Sequence, residues 1–338
     1  MLKGGDIMDN QNAHFAKYLQ EMKETVEKVT SYYDQYKSIH GEITLDRRTY
    51  LGDKQNRVCR FCGKKAGEVK FKKDAHAIPE MLGNHYLCTY YECDVCNEVF
   101  SKLENDLGWF TELGRTVTRL QGKYGTPTFK QGESLIRDEV EQILIKDPID
   151  KPILQWNGDN ELKITAKVKP FTPRAVYKAF TKMALTLMPA EELVHFKETI
   201  DWIKEEDHCA RTTPPLLAMY SFIPGPAFRR NVGFKLFFRR DGITRIVPYC
   251  QFVLKFYNFM YQIYLPYSSQ DEHWRHGTER DIELVGYPPE IDLGFDYPFD
   301  INKELIDLSA CEKVRGKEQS VTMGFSSRVD VTEMMRNQ

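Results

Sequence analysis

Two C-x-x-C pairs stand close together in this chain. "CRFC" carries Cys59 and Cys62, and "CDVC" carries Cys93 and Cys96. A C-x-x-C turn presents two thiolates, and two such knuckles supply the four donors that a structural zinc takes in tetrahedral geometry. Zn2+ is therefore the expected structural metal, and the Lys and Arg residues around the pairs ease thiolate formation. The insert from Gly63 to Glu92 exceeds the roughly 15–20 residues of a common zinc ribbon. The staple should therefore enclose an element of its own.

That insert contains "KDAHAIPEMLGN", from Lys73 to Asn84. "VKFKKDAHAIPEMLGN" reads as a short strand ending at His76, followed by a turn at Pro79 and Gly83. A neutral imidazole has the right proton affinity near pH 7 to take a proton from water. After Cys96, the residues Val99, Phe100, Leu103, Leu107 and Phe110 form one apolar face, which predicts a helix starting close to Asn97. Its opposite edge presents Asn97, Ser101 and Glu104. Glu104 lies about two helical turns beyond Asn97 and faces the same way.

"AHAIPE", "LGN" and "ECDVCNEVFSKLE", framed by the earlier "CRFC", together resemble the His-Asn-His (HNH) endonuclease family. The resemblance covers only a minor part of the chain. It implies a ββα-metal fold with one divalent ion, Mg2+ or Mn2+, set against a scissile phosphate. It implies His76 as the catalytic base and Asn84 as the residue that orients it by a hydrogen bond. It implies Asn97 and Glu104 as metal-site residues on the helix. The family often carries Asp or His immediately before the base, where this chain has Ala75. Asp74 would share the face of His76 in a regular strand, and Asp74 and Asp106 are further candidate ligands. The competing reading of the same residues is a non-catalytic, zinc-stapled nucleic-acid-binding protein.

The chain has 338 residues and a net charge of −2, so it is not a polyanion-seeking particle as a whole. The charge is uneven, however. Residues 54–73 carry eight Lys or Arg against the single Glu68. Within this run Arg57, Arg60, Lys64, Lys65, Lys70, Lys72 and Lys73 are candidates to track a nucleic-acid backbone, with DNA ahead of RNA as the expectation that goes with the endonuclease resemblance. The start, "MLKGGDIMDNQNAHF", has no apolar core of a secretory signal. No apolar run is long enough for a membrane span. A cytoplasmic protein without a membrane partner is expected, and the remaining four cysteines read as small buried hydrophobes.

The elements around the site predict an α+β chain. Residues 1–11 read as disordered. From Ala13 to Tyr36, apolar residues recur at three- and four-residue steps, which predicts a helix able to pack on the next domain or on a second copy of the chain. Three regions follow: an N-terminal helical segment (1–50), a zinc-stapled HNH domain (51–125) and a larger mixed α+β domain (130–338) for substrate, partner or effector recognition. In the last region, "ELKITAKVKPF" alternates like a strand. Thr172 and Pro173 open a helix, and "AEELVHFKETIDWIKEED" reads as a second one. "VGFKLFFRRDGITRIVPY" reads as a hairpin turning at Asp241–Gly242. "QFVLKFYNFMYQIYLPY" suits a central strand. Arg229, Arg230, Arg239 and Arg240 flank the hairpin and are weighed as backbone-gripping or edge charges. Fusions of this kind commonly serve restriction or anti-phage defence.

Overall fold

The computed structural model describes residues 4–43, 47–139, 142–225, 228–271, 283–294 and 297–324. The chain divides into two compact units that do not follow the sequential boundaries expected above. One unit comprises Met1–Thr44 with Phe180–Ser309, and the other Leu45–Ala179 with Ala310–Gln338. The boundary expected near residues 125–130 is instead interior to the second unit. The chain leaves that unit within a helix.

The first unit is built on a six-stranded antiparallel sheet. Helix α1 (Gly4–Gln35) runs directly into β1 (Tyr36–Ile43). The helix therefore includes residues 4–11, which their polar, glycine-containing sequence predicts to be disordered. Strands β10 (Leu217–Phe222), β11 (Phe228–Arg239), β12 (Cys250–Tyr257), β13 (Phe259–Tyr264) and β14 (Asn302–Asp307) complete the sheet in the order β1-β11-β12-β13-β10-β14. The run expected to be one central strand is two. Tyr257 adopts a left-handed φ of 51°, and Asn258 donates its amide to the carbonyls of Ile223 and Gly225. A tight turn thus folds β13 back on β12. The hairpin at Gly242 also changes partner, because β11 pairs with β12 and residues 243–249 form a loop.

Tyr32 and Tyr36, at the junction of α1 and β1, pack with Phe237, Val253, Met260 and Tyr287 in the core of this unit. Further up α1, Leu19 and Val26 stay exposed. The expected second helix is broken into α4 (Ala190–Leu193), a 3-10 turn (Val194–Phe196) and α5 (Lys197–Lys204), and a short α6 (Glu290–Leu293) precedes β14. Arg239 pairs with Asp271, and Arg240 donates to the Tyr33 carbonyl, so both serve the fold. The side chains of Arg229 and Arg230 lie outside the described residues.

Among the described residues the second unit holds three small sheets. Strands β2 (Thr49–Leu51), β3 (Ala75–His76) and β4 (Leu87–Thr89) form one in the order β2-β4-β3. Helix α2 (Asp94–Val117) follows, with Phe100, Leu103, Leu107, Phe110, Leu113 and Val117 buried at helical spacing. Strands β5 (Phe129–Gln131), β6 (Ser134–Glu139) and β7 (Gln142–Lys146) form an antiparallel meander. Strands β8 (Leu154–Asn157), β9 (Glu161–Lys167) and β15 (Glu318–Gly324) form the third sheet. Strand β9 alternates buried and exposed residues, as its sequence predicts. Helix α3 (Pro173–Leu187) begins at the expected proline. Among the described residues no helix is long and apolar enough to cross a membrane.

Candidate metal centre and histidine hairpin

The four cysteines converge. The sulfur atoms of Cys59, Cys62, Cys93 and Cys96 all lie within 4.8 Å of one another. Cys62 Sγ and Cys93 Sγ are 3.8 Å apart. A tetrahedron with metal–sulfur bonds of about 2.3 Å has edges of about 3.8 Å, so the cage fits zinc. The first knuckle closes through the Gly63 N–H to Cys59 O (2.8 Å) and the Cys59 N–H to Lys64 O (2.9 Å). Gly63 sits at φ 72°, a turn conformation that suits glycine. In the second knuckle Cys93 is the N-cap of α2, and Cys96 lies in its first turn. The positive end of the helix therefore favours thiolates there.

The knuckles are tied together. The Arg60 N–H donates to Tyr91 O at 2.6 Å, and the Phe61 ring meets Phe100 of α2 edge-on at 4.6 Å. A hydrogen bond from the Cys96 thiol, aided by backbone N–H groups, pulls the Cys59 thiol down to about 4 against its burial. Donating that bond, together with burial, pushes Cys96 well up, and burial raises Cys93 to about 11. Crowded thiols ionise one at a time. A dication at their centre is the species that lets all four carry charge.

Between the knuckles the order is strand, loop, strand, helix: β3, β4 and α2. His76 is half-buried on β3, where it pairs with Cys88 of β4. Asn84 is fully buried in the connecting loop. Its Nδ2 donates to Ile78 O (2.7 Å) and Leu87 O (2.9 Å), and its Oδ1 accepts from Leu87 N (2.8 Å) and Tyr86 N (3.3 Å). Asn84 thus closes the loop through main-chain groups on either side of it. Gly83, at φ 95°, ends the short 3-10 turn Glu80–Leu82 that precedes it.

Helix α2 starts at Asp94, three residues earlier than expected, because Cys93 takes the cap. Asn97 is therefore inside the helix, half-buried, and its Nδ2 donates to the buried Glu92 Oε1 at 3.1 Å. Glu104 is half-buried two turns further on. Asp106 turns elsewhere. Its Oδ1 accepts the N–H of Thr172 at 2.6 Å, at the start of α3. Asp74 sits beside β3 as the alternation implies, but Arg48 (2.6 Å) and the Tyr50 hydroxyl (3.0 Å) occupy its two oxygens. Among the described residues no other three His, Cys, Asp or Glu side chains converge as the four cysteines do. No three of His76, Asp74, Glu104 and Asp106 therefore converge as a ready-made cage for a divalent ion.

The basic run splits in two. Lys64, Lys65, Lys70, Lys72 and Lys73 are exposed. Arg57 and Arg60 instead cover aromatic rings, Arg57 at 4.5 Å from the Tyr90 centroid and Arg60 at 4.0 Å from that of Tyr91. Burial lowers the proton affinity of Arg60. Asp94 anchors the segment to α2, since its Oδ1 accepts the N–H groups of both Lys72 (2.9 Å) and Lys73 (3.0 Å). Sequence reasoning missed Arg48, Tyr50 and Asp94. The signal for the first two was the short alternation in "RTYL", which fell across an assumed domain boundary. Of the scattered cysteines, Cys88 and Cys250 are buried, but Cys209 is exposed. The chain matches no protein-family model, no curated protein and no solved structure.

Proposed function

We propose that this chain is a metal-dependent endonuclease of the His-Asn-His type that hydrolyses phosphodiester bonds of nucleic acid, with DNA ahead of RNA as substrate. The observation that carries the reading is the framing of one hairpin. His76 lies on its first strand, Asn84 locks its loop, and Asn97 sits in the first turns of the helix that follows, while a four-thiol cage clamps both ends. In this reading His76 accepts the proton of a water as its oxygen attacks phosphorus, the P–O bond to one sugar oxygen breaks, and that oxygen leaves and takes a proton from solvent. Asn84 holds the loop so that His76 keeps its position. Asn97 and Glu104 on α2 would hold Mg2+ or Mn2+, which would supply positive charge to the phosphate. The exposed lysines between Lys64 and Lys73 hold the backbone. The test is cleavage of duplex and single-stranded DNA and of RNA with Mg2+ or Mn2+. His76→Ala should abolish cutting while zinc content and DNA binding persist. Absence of cutting by the parent protein across metals and substrates would sink the reading.

A second reading is a zinc-stapled nucleic-acid-binding protein without catalysis. The engagement of both Asp74 oxygens by Arg48 and Tyr50 favours it. Under this reading parent and His76→Ala proteins bind nucleic acid alike and neither cuts.

A further inference from the structure

The sheet β2-β4-β3 sets Tyr50 and His76 in one row. Tyr50 pairs with Cys88 in parallel register, and His76 pairs with the same Cys88 in antiparallel register. Residues opposite one another in a sheet project to the same side. Arg48 precedes Tyr50 by two positions, Asp74 precedes His76 by two, and Tyr90 follows Cys88 by two, so alternation brings them to that side as well. The contacts agree. Arg48 Nη1 donates to Asp74 at 2.6 Å, the Tyr50 hydroxyl donates to Asp74 at 3.0 Å, and the Tyr50 and Tyr90 rings stack at 4.6 Å. Two strand spacings separate Tyr50 from His76, about 10 Å.

We propose that Arg48, positioned by Asp74 and Tyr50 on the face that carries His76, binds the phosphodiester presented to this site. The inference rests on the reading of this unit as nucleic-acid-binding. A guanidinium matches two phosphate oxygens at once, which a lysine cannot do. The Arg48 side chain is 55% exposed and directs one nitrogen to Asp74. Part of the guanidinium therefore remains open to solvent, while Asp74 and Tyr50 fix the direction of the fork. Lys72 and Lys73, which lead into Asp74, are exposed as well. A site for one small anion would not call for that run of neighbouring cations, whereas a polyanion backbone does.

The test is binding of a short DNA duplex and its single strand by the full-length protein, in a His76→Ala background so that nothing is cut. Affinity is read by fluorescence anisotropy across a salt series. Arg48→Ala should weaken binding about tenfold and flatten the salt dependence by about one phosphate contact. Arg48→Lys should restore the salt dependence but only part of the affinity. Zinc content and melting temperature should stay near those of the parent, because an ion pair this exposed adds little stability. Equal affinity and equal salt slope for Arg48→Ala and its parent would overturn the assignment of Arg48 and leave the nuclease reading standing. If the parent binds neither nucleic acid, both readings of the unit fall together.

Discussion

Asn84 grips the main chain of Leu87 from both sides, donating to its carbonyl at 2.9 Å and accepting its N–H at 2.8 Å. Its side chain is fully buried and also donates to Ile78 O. Asn84→Ala would leave these buried groups without partners, at a cost of about 3 kcal/mol. Asn84→Asp should be at least as damaging at pH 7, because a carboxylate cannot donate to either carbonyl. Urea midpoints of the two variants check this. A midpoint like that of the parent would show that the loop does not depend on Asn84.

The thiolate cage should hold one zinc per chain. Cys62 is the exposed member of the set, so Cys62→Ser removes a ligand with little change in packing. Elemental analysis should show zinc lost from this variant. A strong chelator should lower the melting temperature of the parent and leave the variant largely unaffected. If Cys62→Ser retains full zinc and parental stability, the cage is not the metal site.

Asp106 separates a structural from a metal-binding role. Burial raises its carboxyl above the usual range, against the Thr172 N–H and nearby Lys313, which lower it. The folded state thus holds the charged form less well than water does, so protonation at low pH adds stability at this site rather than removing it. Asp106→Asn keeps an acceptor for Thr172 and should lie within about 0.5 kcal/mol of the parent at pH 7. Asp106→Ala should cost about 1 kcal/mol. Any metal-dependent cleavage should survive in Asp106→Asn. Its abolition there, with stability intact, would restore Asp106 as a ligand.

In the first unit Asp292 lies 2.9 Å from Lys235 and 3.1 Å from Lys255, all three largely buried. Burial works to raise the Asp292 carboxyl, but the two ammonium groups outweigh it and hold it below its ordinary value. Its folded-state affinity for protons is thus lower than in the unfolded chain. The stabilisation is present above the unfolded value of about 4 and is lost as pH falls through the folded one. Asp292→Asn should cost about 3–5 kcal/mol at neutral pH, because it removes the carboxylate with which both buried ammonium groups pair. It should also flatten the acid limb of the stability profile. Urea unfolding between pH 7 and pH 3 measures both effects.

Gly233 gives the lysine stem of this cluster its room, since a Cβ there would run into Lys255 Cε. Gly233→Ala should therefore destabilise the first unit, as measured by thermal unfolding, while leaving zinc content in the second unchanged.

The sequence by itself determined the local features whose cause is local. Two C-x-x-C knuckles specify four sulfur donors, and apolar spacing specifies α2 and β9. Pro173 sets the start of α3, and Gly83 followed by Asn84 marks the turn after His76. These follow from residue chemistry within a few positions. The tertiary structure decided which partners those residues meet. It started α2 from a Cys93 cap, ahead of Asn97, turned Asp106 toward Thr172, and engaged Asp74 with Arg48 and Tyr50. It also folded one apolar run into β12 and β13 and assembled each unit from separate stretches of chain. Long-range strand pairing and burial set these choices, and no spacing along the chain encodes which distant residue arrives to pair.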